Sequence, residues 1–222
     1  MTGPILSLDA RYYIDPQVFR LETEGLLART WQFGCHASDL AEPGDYTTFE
    51  IAGESLFAVR GRDDKIRVFY NVCQHRAHEL VSGAGNTRVV VCPYHAWTYE
   101  LTGKLRAGPN IRAVEGFDRS SVCLSEVRAE EFVGFVFVNL DPDAVAMEEW
   151  FPGVRAELEE WVPSWARLKP LEWVEIPENC NWKVSVENYS ECYHCALNHP
   201  TFANGVVKPE TYDIQPQGMC LR

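Results

Sequence analysis

Two short stretches of this chain each set a sulfur ligand beside a nitrogen ligand. They are Cys73-Gln74-His75 and, after sixteen intervening residues, Cys92-Pro93-Tyr94-His95. One thiolate and one imidazole per stretch match a [2Fe–2S] cluster in which one iron takes two Cys and the other takes two His. Neutral imidazoles in place of two thiolates leave such a cluster less negative and raise its reduction potential. The centre can then accept an electron from an ordinary ferredoxin or flavin donor and still pass it on. A Cys2His2 zinc site uses the same four ligands tetrahedrally. Zinc sites usually pair Cys with Cys and His with His along the chain. Here each pair is mixed, which favours the cluster.

A second group lies in Glu187-Asn188-Tyr189-Ser190-Glu191-Cys192-Tyr193-His194-Cys195-Ala196-Leu197-Asn198-His199-Pro200. Glu191 and His194 stand at i and i+3, so a helix carries them on one face. His194 and His199 are separated by about 140° around an ideal helix, so they share a metal only if the helix breaks between them. Pro200 supplies a break, because the residue before a proline disfavours helical geometry. Two imidazoles and a carboxylate on one face of Fe(II) leave positions open for oxygen. The plainer reading of two His near a helix end is structural.

Other candidates carry less. His36 reads as structural. His78 reads as a loop residue satisfied locally, or as a donor to the ligand set. Ser82-Gly83-Ala84-Gly85-Asn86-Thr87 lacks the third glycine and the following helix of a phosphate loop, so a plain turn is expected. Trp182, Tyr189, Tyr193 and Phe202 can line an aromatic box for a cation, although aromatics at helical spacing more often belong to a core.

The elements around the first group are strands. Tyr46–Ile51 and Ser55–Arg60 flank Gly53-Glu54, read as a hairpin turn. Gly61 to Asp64 is a second turn, and Lys65–Tyr70 alternates Ile66, Val68 and Tyr70 on one face. Arg88–Val91 and Phe132–Val138 are further apolar strands. Val68–Val72 and Val89–Val91 run straight into the two Cys/His stretches, which places both ligand pairs at the tips of β-loops. A compact antiparallel β domain is expected over roughly residues 40 to 145. Elsewhere, Asp15-Pro16 starts a helix carrying Phe19, Leu26, Leu27 and Trp31. Val154, Leu158, Trp161 and Val162 mark an amphipathic helix. Leu171–Ile176 can be a strand, and Asn181 to Leu197 reads as helix. Val206 to Arg222 looks like the opening of more structure.

Bulk properties exclude some classes of function. A net charge of −12 argues against nucleic acid, which calls for clustered Lys and Arg. No run approaches the ~18 apolar residues of a membrane span. The opening Met1 to Ala10 lacks a secretory signal, so the cytoplasm is the expected compartment. In that reducing setting, closely spaced Cys and His among the eight cysteines suggest metal rather than disulfides.

Asn71-Val72-Cys73-Gln74-His75-Arg76-Ala77-His78-Glu79-Leu80 and Cys92-Pro93-Tyr94-His95-Ala96-Trp97-Thr98-Tyr99 closely resemble the two cluster loops of Rieske non-haem iron oxygenases. Glu191-x-x-His194-x-x-x-x-His199-Pro200 resembles the mononuclear iron motif of the same family, and Asn181-Trp182-Lys183 before it is also typical. The resemblance implies that Cys73, His75, Cys92 and His95 hold the cluster. It also implies that His194 and His199 supply two of three Fe(II) ligands, and that Glu191 links the iron to a neighbouring subunit's cluster. Many relatives have Asp at that position. Glu191 and the His-Arg-Ala-His-Glu-Leu run look most like the branch that demethylates betaines or cleaves carnitine.

By the same resemblance the fold is α+β, in three parts. Residues 1–38 form an N-terminal helical segment packing on the catalytic domain, and residues 39–149 an antiparallel β Rieske domain. Residues 150–222 form part of a helix-grip-like catalytic domain. The implied activity is hydroxylation or oxidative N-demethylation of a small molecule with O2. Electrons would come from a separate flavin- or ferredoxin-type reductase, and the assembly would be a homotrimer. The family's third iron ligand, an Asp, lies well beyond the His pair. Asp213 does not occupy that position, so a fragment of a longer oxygenase is expected. Two rival readings are a stand-alone Rieske electron-transfer protein, which has no need of the second motif, and a zinc-stabilised interaction module.

Overall fold

The computed structural model describes residues 8–190 and 194–205. They form two compact units. One is Arg20–Val174, and the other combines the described parts of 1–19 and 175–222. The expectations for Glu191, Tyr193 and the stretch from Val206 lie outside the described residues.

In the first unit a seven-stranded antiparallel sheet carries the ligand loops. The strands are β1 (Gln32–His36), β2 (Asp45–Ile51), β3 (Glu54–Arg60), β4 (Ile66–Tyr70), β5 (Ala84–Asn86), β9 (Glu126–Phe132) and β10 (Phe135–Asn139). Their order across the sheet is β1-β10-β9-β4-β3-β2-β5. A smaller sheet joins β6 (Val90–Val91), β7 (Thr98–Tyr99) and β8 (Leu105–Ala107), in that order.

The period-two alternation of β3 and β4 has apolar residues on both faces, because each face meets its own core. Leu56, Ala58 and Val68 pack with Leu40, Val136 and Val138. Phe57, Val59 and Phe69 pack on the opposite side with Tyr99, Leu101, Leu105, Cys73 and Cys92. Each buried Val, Leu or Phe among them contributes about 1.5–3 kcal/mol. Both candidate thiolates therefore sit inside the second of these cores. Ile66, Val68 and Tyr70 share the first, as their alternation predicts.

Several boundaries differ from the sequence reading. The β2–β3 turn is Ala52-Gly53, one residue earlier than expected. Both residues have positive φ, 53° and 83°, as a two-residue primed turn requires. Phe132–Val138 is a hairpin instead of one strand, because Val133 and Gly134 take φ of 46° and 85° and reverse the chain. Arg88–Val91 contributes only Val90–Val91, and the expected glycine-rich turn contains β5, which pairs with β2. Strand β1 extends the sheet ahead of residue 40 by pairing with β10. Leu171–Ile176 forms no strand, and Leu171, Trp173, Val174 and Ile176 are exposed.

Helices α1 (Arg11–Ile14) and α2 (Pro16–Gly25) open the chain, with the Asp15 carboxylate accepting from Gln17 N–H at 2.8 Å. Trp31 lies past the end of α2 and is buried against Phe132, Val133 and Met147. Helix α3 (Met147–Trp150) precedes α4 (Val154–Trp161), a helix where the spacing predicts one, although its Leu158 and Trp161 are exposed. In the second unit, α5 (Trp182–Ser190) and α6 (Cys195–Asn198) fall in the stretch read as helix from Asn181 to Leu197, and α7 (Pro200–Gly205) follows it. No helix among the described residues is long and apolar enough to cross a membrane.

Candidate metal centres

The two Cys/His loops share one backbone frame. In the first, Cys73 N–H donates to His78 O and Ala77 N–H donates to Cys73 O, both at 2.9 Å. In the second, Cys92 N–H donates to Trp97 O at 2.8 Å and Ala96 N–H to Cys92 O at 2.9 Å. Ala77 and Ala96 close the loops with φ of 53° and 55°. That left-handed conformation costs a residue with a Cβ about 1–2 kcal/mol. The frame fixes a sulfur at the inner end of each loop and an imidazole two or three residues later at the tip.

Asn71, only 1% exposed, anchors the first loop to its neighbours. Its Oδ1 accepts from Leu80 N–H and Val81 N–H, both at 3.1 Å. Its Nδ2 donates to Val81 O at 2.7 Å and to Glu79 Oε1 at 3.1 Å. The chain leaves β4 at this residue, and Asn71 turns it back.

The four candidate ligands divide by burial. Cys73 and Cys92 are each 2% exposed and lie in the apolar core, and both are free thiols. His75 and His95 sit outside that core with ring centroids 4.8 Å apart. Trp97 stacks on His75 at 4.8 Å with a 9° interplanar angle, and Tyr94 lies against His95 at 3.8 Å. The Tyr99 hydroxyl is 3.2 Å from Cys73 Sγ and accepts from Gln74 N–H at 3.0 Å. Burial raises the Tyr99 pKa, and the contact with Cys73 adds to the rise. The His95 pKa is lowered, by desolvation first and then by His75, Arg76 and His78, which favours the neutral ring a metal needs.

The residues present fit a [2Fe–2S] cluster. Nδ1 of His95 is buried and has no hydrogen-bond partner. A buried nitrogen left in that state is costly unless something takes its lone pair. A metal ion does so. Among the described residues no three His, Cys, Asp or Glu gather around one point. A tetrahedral zinc site needs four ligands at one point, whereas each iron of a two-iron cluster needs only two from the protein.

The bland readings of the other histidines match what is observed. The His36 ring is buried, accepts from Ser38 N–H at 3.1 Å and meets Phe135 edge-on at 5.1 Å. His78 is exposed, and its Nδ1 lies 2.6 Å from the Glu79 carbonyl.

In the second unit Asn181 caps α5, its Oδ1 accepting from Lys183 N–H at 3.1 Å. Tyr13 binds the same helix, donating its hydroxyl to Glu187 Oε1 at 2.6 Å. His194 precedes α6, and His199 breaks the path between α6 and α7 with φ −127° and ψ 57°. This is the interruption that Pro200 predicts, and it brings the two rings to 5.4 Å. Among the other aromatics, Trp182 lies 5.2 Å from Lys183 Nζ, while Tyr189 and Phe202 are exposed rather than core.

Sequence reasoning gave no role to Asn71, Trp97 or Tyr99. The two aromatics fall two and four residues after His95 on an alternating stretch, inside the run that resembles a cluster loop, and those were their signals.

Comparisons with known proteins add to this picture. Residues 30–118 match the Rieske [2Fe-2S] domain model. Residues 164–218 match the catalytic domain of the ring hydroxylating alpha subunit. The chain is 44% identical over 201 residues to the carnitine monooxygenase oxygenase subunit of Escherichia coli K12, an alignment covering 90% of this chain and 54% of that protein. It is 34% identical over 211 residues to the glycine betaine monooxygenase oxygenase subunit of Chromohalobacter salexigens, covering 93% and 46%. A solved quaternary ammonium Rieske monooxygenase, described for carnitine oxidation by gut microbiota and inter-subunit electron transfer, superposes with a TM-score of 0.83. Its identity is 42%, over 87% of this chain and 53% of that one. The chain spans about half the length of the curated relatives it matches.

Proposed function

The chain belongs to the Rieske non-haem iron oxygenases, and from that premise we propose that it serves in the oxygenase component of a quaternary ammonium monooxygenase. The observation that carries the reading is the coexistence of two ligand sets, the twin Cys/His loops and the His194–His199 pair at 5.4 Å. An electron carrier has no use for the second. The substrate class follows from the 44% identity to a carnitine monooxygenase oxygenase subunit.

In this reading Cys73 and Cys92 bind one iron of the cluster, His75 and His95 bind the other, and His194 and His199 hold a mononuclear Fe(II). When bound, the cluster supplies single electrons and the mononuclear iron activates O2. The chain's own residues keep the sulfurs dry, set the imidazoles at the loop tips, and orient the His pair through the break at His199. Glu191 is assigned the bridge between centres, accepting from His194 and facing His95 of the partner subunit in a homotrimer. Such a carboxylate makes charge-assisted bonds and orients both ligands. A separate flavin- or ferredoxin-type reductase and a cytoplasmic setting complete the proposal, with domain limits at 39–149 and 150–222.

The test is metal analysis followed by oxygen uptake. Anaerobic loading should give two irons and two sulfides per chain, with an EPR signal of mixed Cys/His ligation. With NADH and a reductase, an oxygenase component carrying this chain together with a third iron ligand should consume O2 when carnitine or glycine betaine is added. Zinc without acid-labile sulfide would sink the cluster assignment. Uptake coupled only to an aromatic hydrocarbon would sink the substrate class.

A further inference from the structure

The basic residues of this acidic chain are not evenly spread. Lys104, Arg106, Arg112 and Arg119 line a concavity of about 690 Å³, with Glu100 as its one carboxylate. They come from the start of the β8 region and the two turns that follow it, at Ile111–Ala113 and Arg119–Ser121. A second concavity, of about 280 Å³, shares Arg106 and Glu100 with the first and adds Arg62 and Arg88. Its other acid, Asp63, is already held by Arg67 at 2.6 Å. All six cations are exposed, and among the described residues none of them forms an ion pair. Arg119 is braced, donating to the Arg106 carbonyl at 2.7 Å. Asp118 is turned to its own loop, accepting from Ser120 N–H at 2.9 Å. On a chain with 32 acidic and 20 basic side chains, an unneutralised basic surface of this width needs a reason.

The concavity also touches the ligand loops. A Cβ at Gly108, in its lining, would fall 2.9 Å from Cδ1 of Trp97 and 3.1 Å from Ile111 Cγ2. Backbone at Gly108 is thus pressed against the indole that stacks face-on upon His75. Whatever occupies the basic surface stands one aromatic ring away from an imidazole ligand.

We propose that this surface, centred on Lys104, Arg106, Arg112 and Arg119, is the docking site for an acidic one-electron donor protein. The proposal rests on the oxygenase reading, which requires such a donor. Its width over two joined concavities suits a protein face better than a single small anion. One electron leaves the donor, which is oxidised, and one enters the cluster, which is reduced; no bond or proton changes hands. Complementary charge of this kind governs encounter rate and is screened by salt.

The test uses the loaded protein and a reduced plant-type [2Fe–2S] ferredoxin, an acidic carrier whose potential lies below the Rieske range. In the double variant Lys104→Glu/Arg112→Glu, ferredoxin affinity by calorimetry and the second-order rate of cluster reduction at low salt should both fall at least tenfold. At ~1 M salt, where the Debye length is about 3 Å, variant and wild type should converge. Lys169→Glu, outside the concavity, should change neither quantity. Uncharged photoreduced deazariboflavin should reduce all three proteins at one rate. Unchanged affinity and rate in the double variant would overturn the proposal, as would an equal loss in Lys169→Glu. A changed sedimentation of the double variant with unaltered ferredoxin binding would assign the surface to a second copy and overturn it too. Failure of the oxygenase reading looks different: a zinc module would give deazariboflavin no cluster to reduce, and a stand-alone carrier would be reduced through this surface yet support no O2 uptake with carnitine.

Discussion

Replacing Asn71 by Ala removes the acceptor of two backbone N–H groups, Leu80 and Val81, in a place closed to water. Unsatisfied buried donors cost more than the bonds they lose, so a destabilisation of roughly 2–4 kcal/mol is expected. Urea unfolding measures it, and iron loading of the variant should fall short of stoichiometry. Tyr99→Phe removes a hydroxyl 3.2 Å from Cys73 Sγ. A hydrogen bond to a thiolate stabilises the more negative, reduced state, so the variant's potential should drop while its iron and sulfide content holds. An unchanged potential would mean that the hydroxyl serves Gln74 N–H alone.

Cys35 tests burial through pH. Desolvation, with Asp39 a lesser cause, pushes its thiol up to about 12. In an unfolded chain it titrates near about 8.5. Between those values the folded protein keeps a proton that the unfolded chain has lost. Stability should therefore fall as pH rises, by at most about 1.4 kcal/mol per pH unit. Cys35→Ala should flatten that alkaline slope in denaturation curves. At this scale the candidate ligands stood out because Cys and His in mixed pairs have few other uses, and the structure brings the His75 and His95 rings to 4.8 Å. Ala77 and Ala96 were not, because alanine carries no mark of the left-handed conformation its loop demands.

Turns decide the elements, and the β2–β3 turn can be improved. Ala52 holds φ 53° where asparagine is at ease. Ala52→Asn should stabilise the unit by about 1 kcal/mol, seen as a higher melting temperature with unchanged iron loading. A neutral or destabilising result would show that Ala52 packs in a way its turn geometry does not reveal. Strands β3 and β4 were legible since apolar residues on both faces mark a sheet covered on both sides. Strand β9, Glu126–Phe132, escaped notice because its charged residues mask the period. Phe132–Val138 was read as one strand because Val133 gives no warning of positive φ, although Gly134 beside it does. Leu171–Ile176 can be a strand by composition alone, and strand composition without a pairing partner makes no strand.

At the scale of the whole chain, the described residues 8–19 group with the described residues after 174. The cluster should matter to one unit more than the other, since a group that binds only the folded state stabilises it. Iron removal by chelation should lower the melting temperature of the unit holding Cys73 and Cys92 by several degrees, and calorimetry should show no matching change in the other transition. Equal shifts in both would place the coupling elsewhere. The division of the ligands by burial has a pharmacological consequence. With both sulfurs buried in the core, the imidazoles of His75 and His95 are the accessible edge of the ligand set. In the function proposed above, a small molecule that capped the His75–His95 edge would stop cluster reduction, and rising substrate concentration would not displace it.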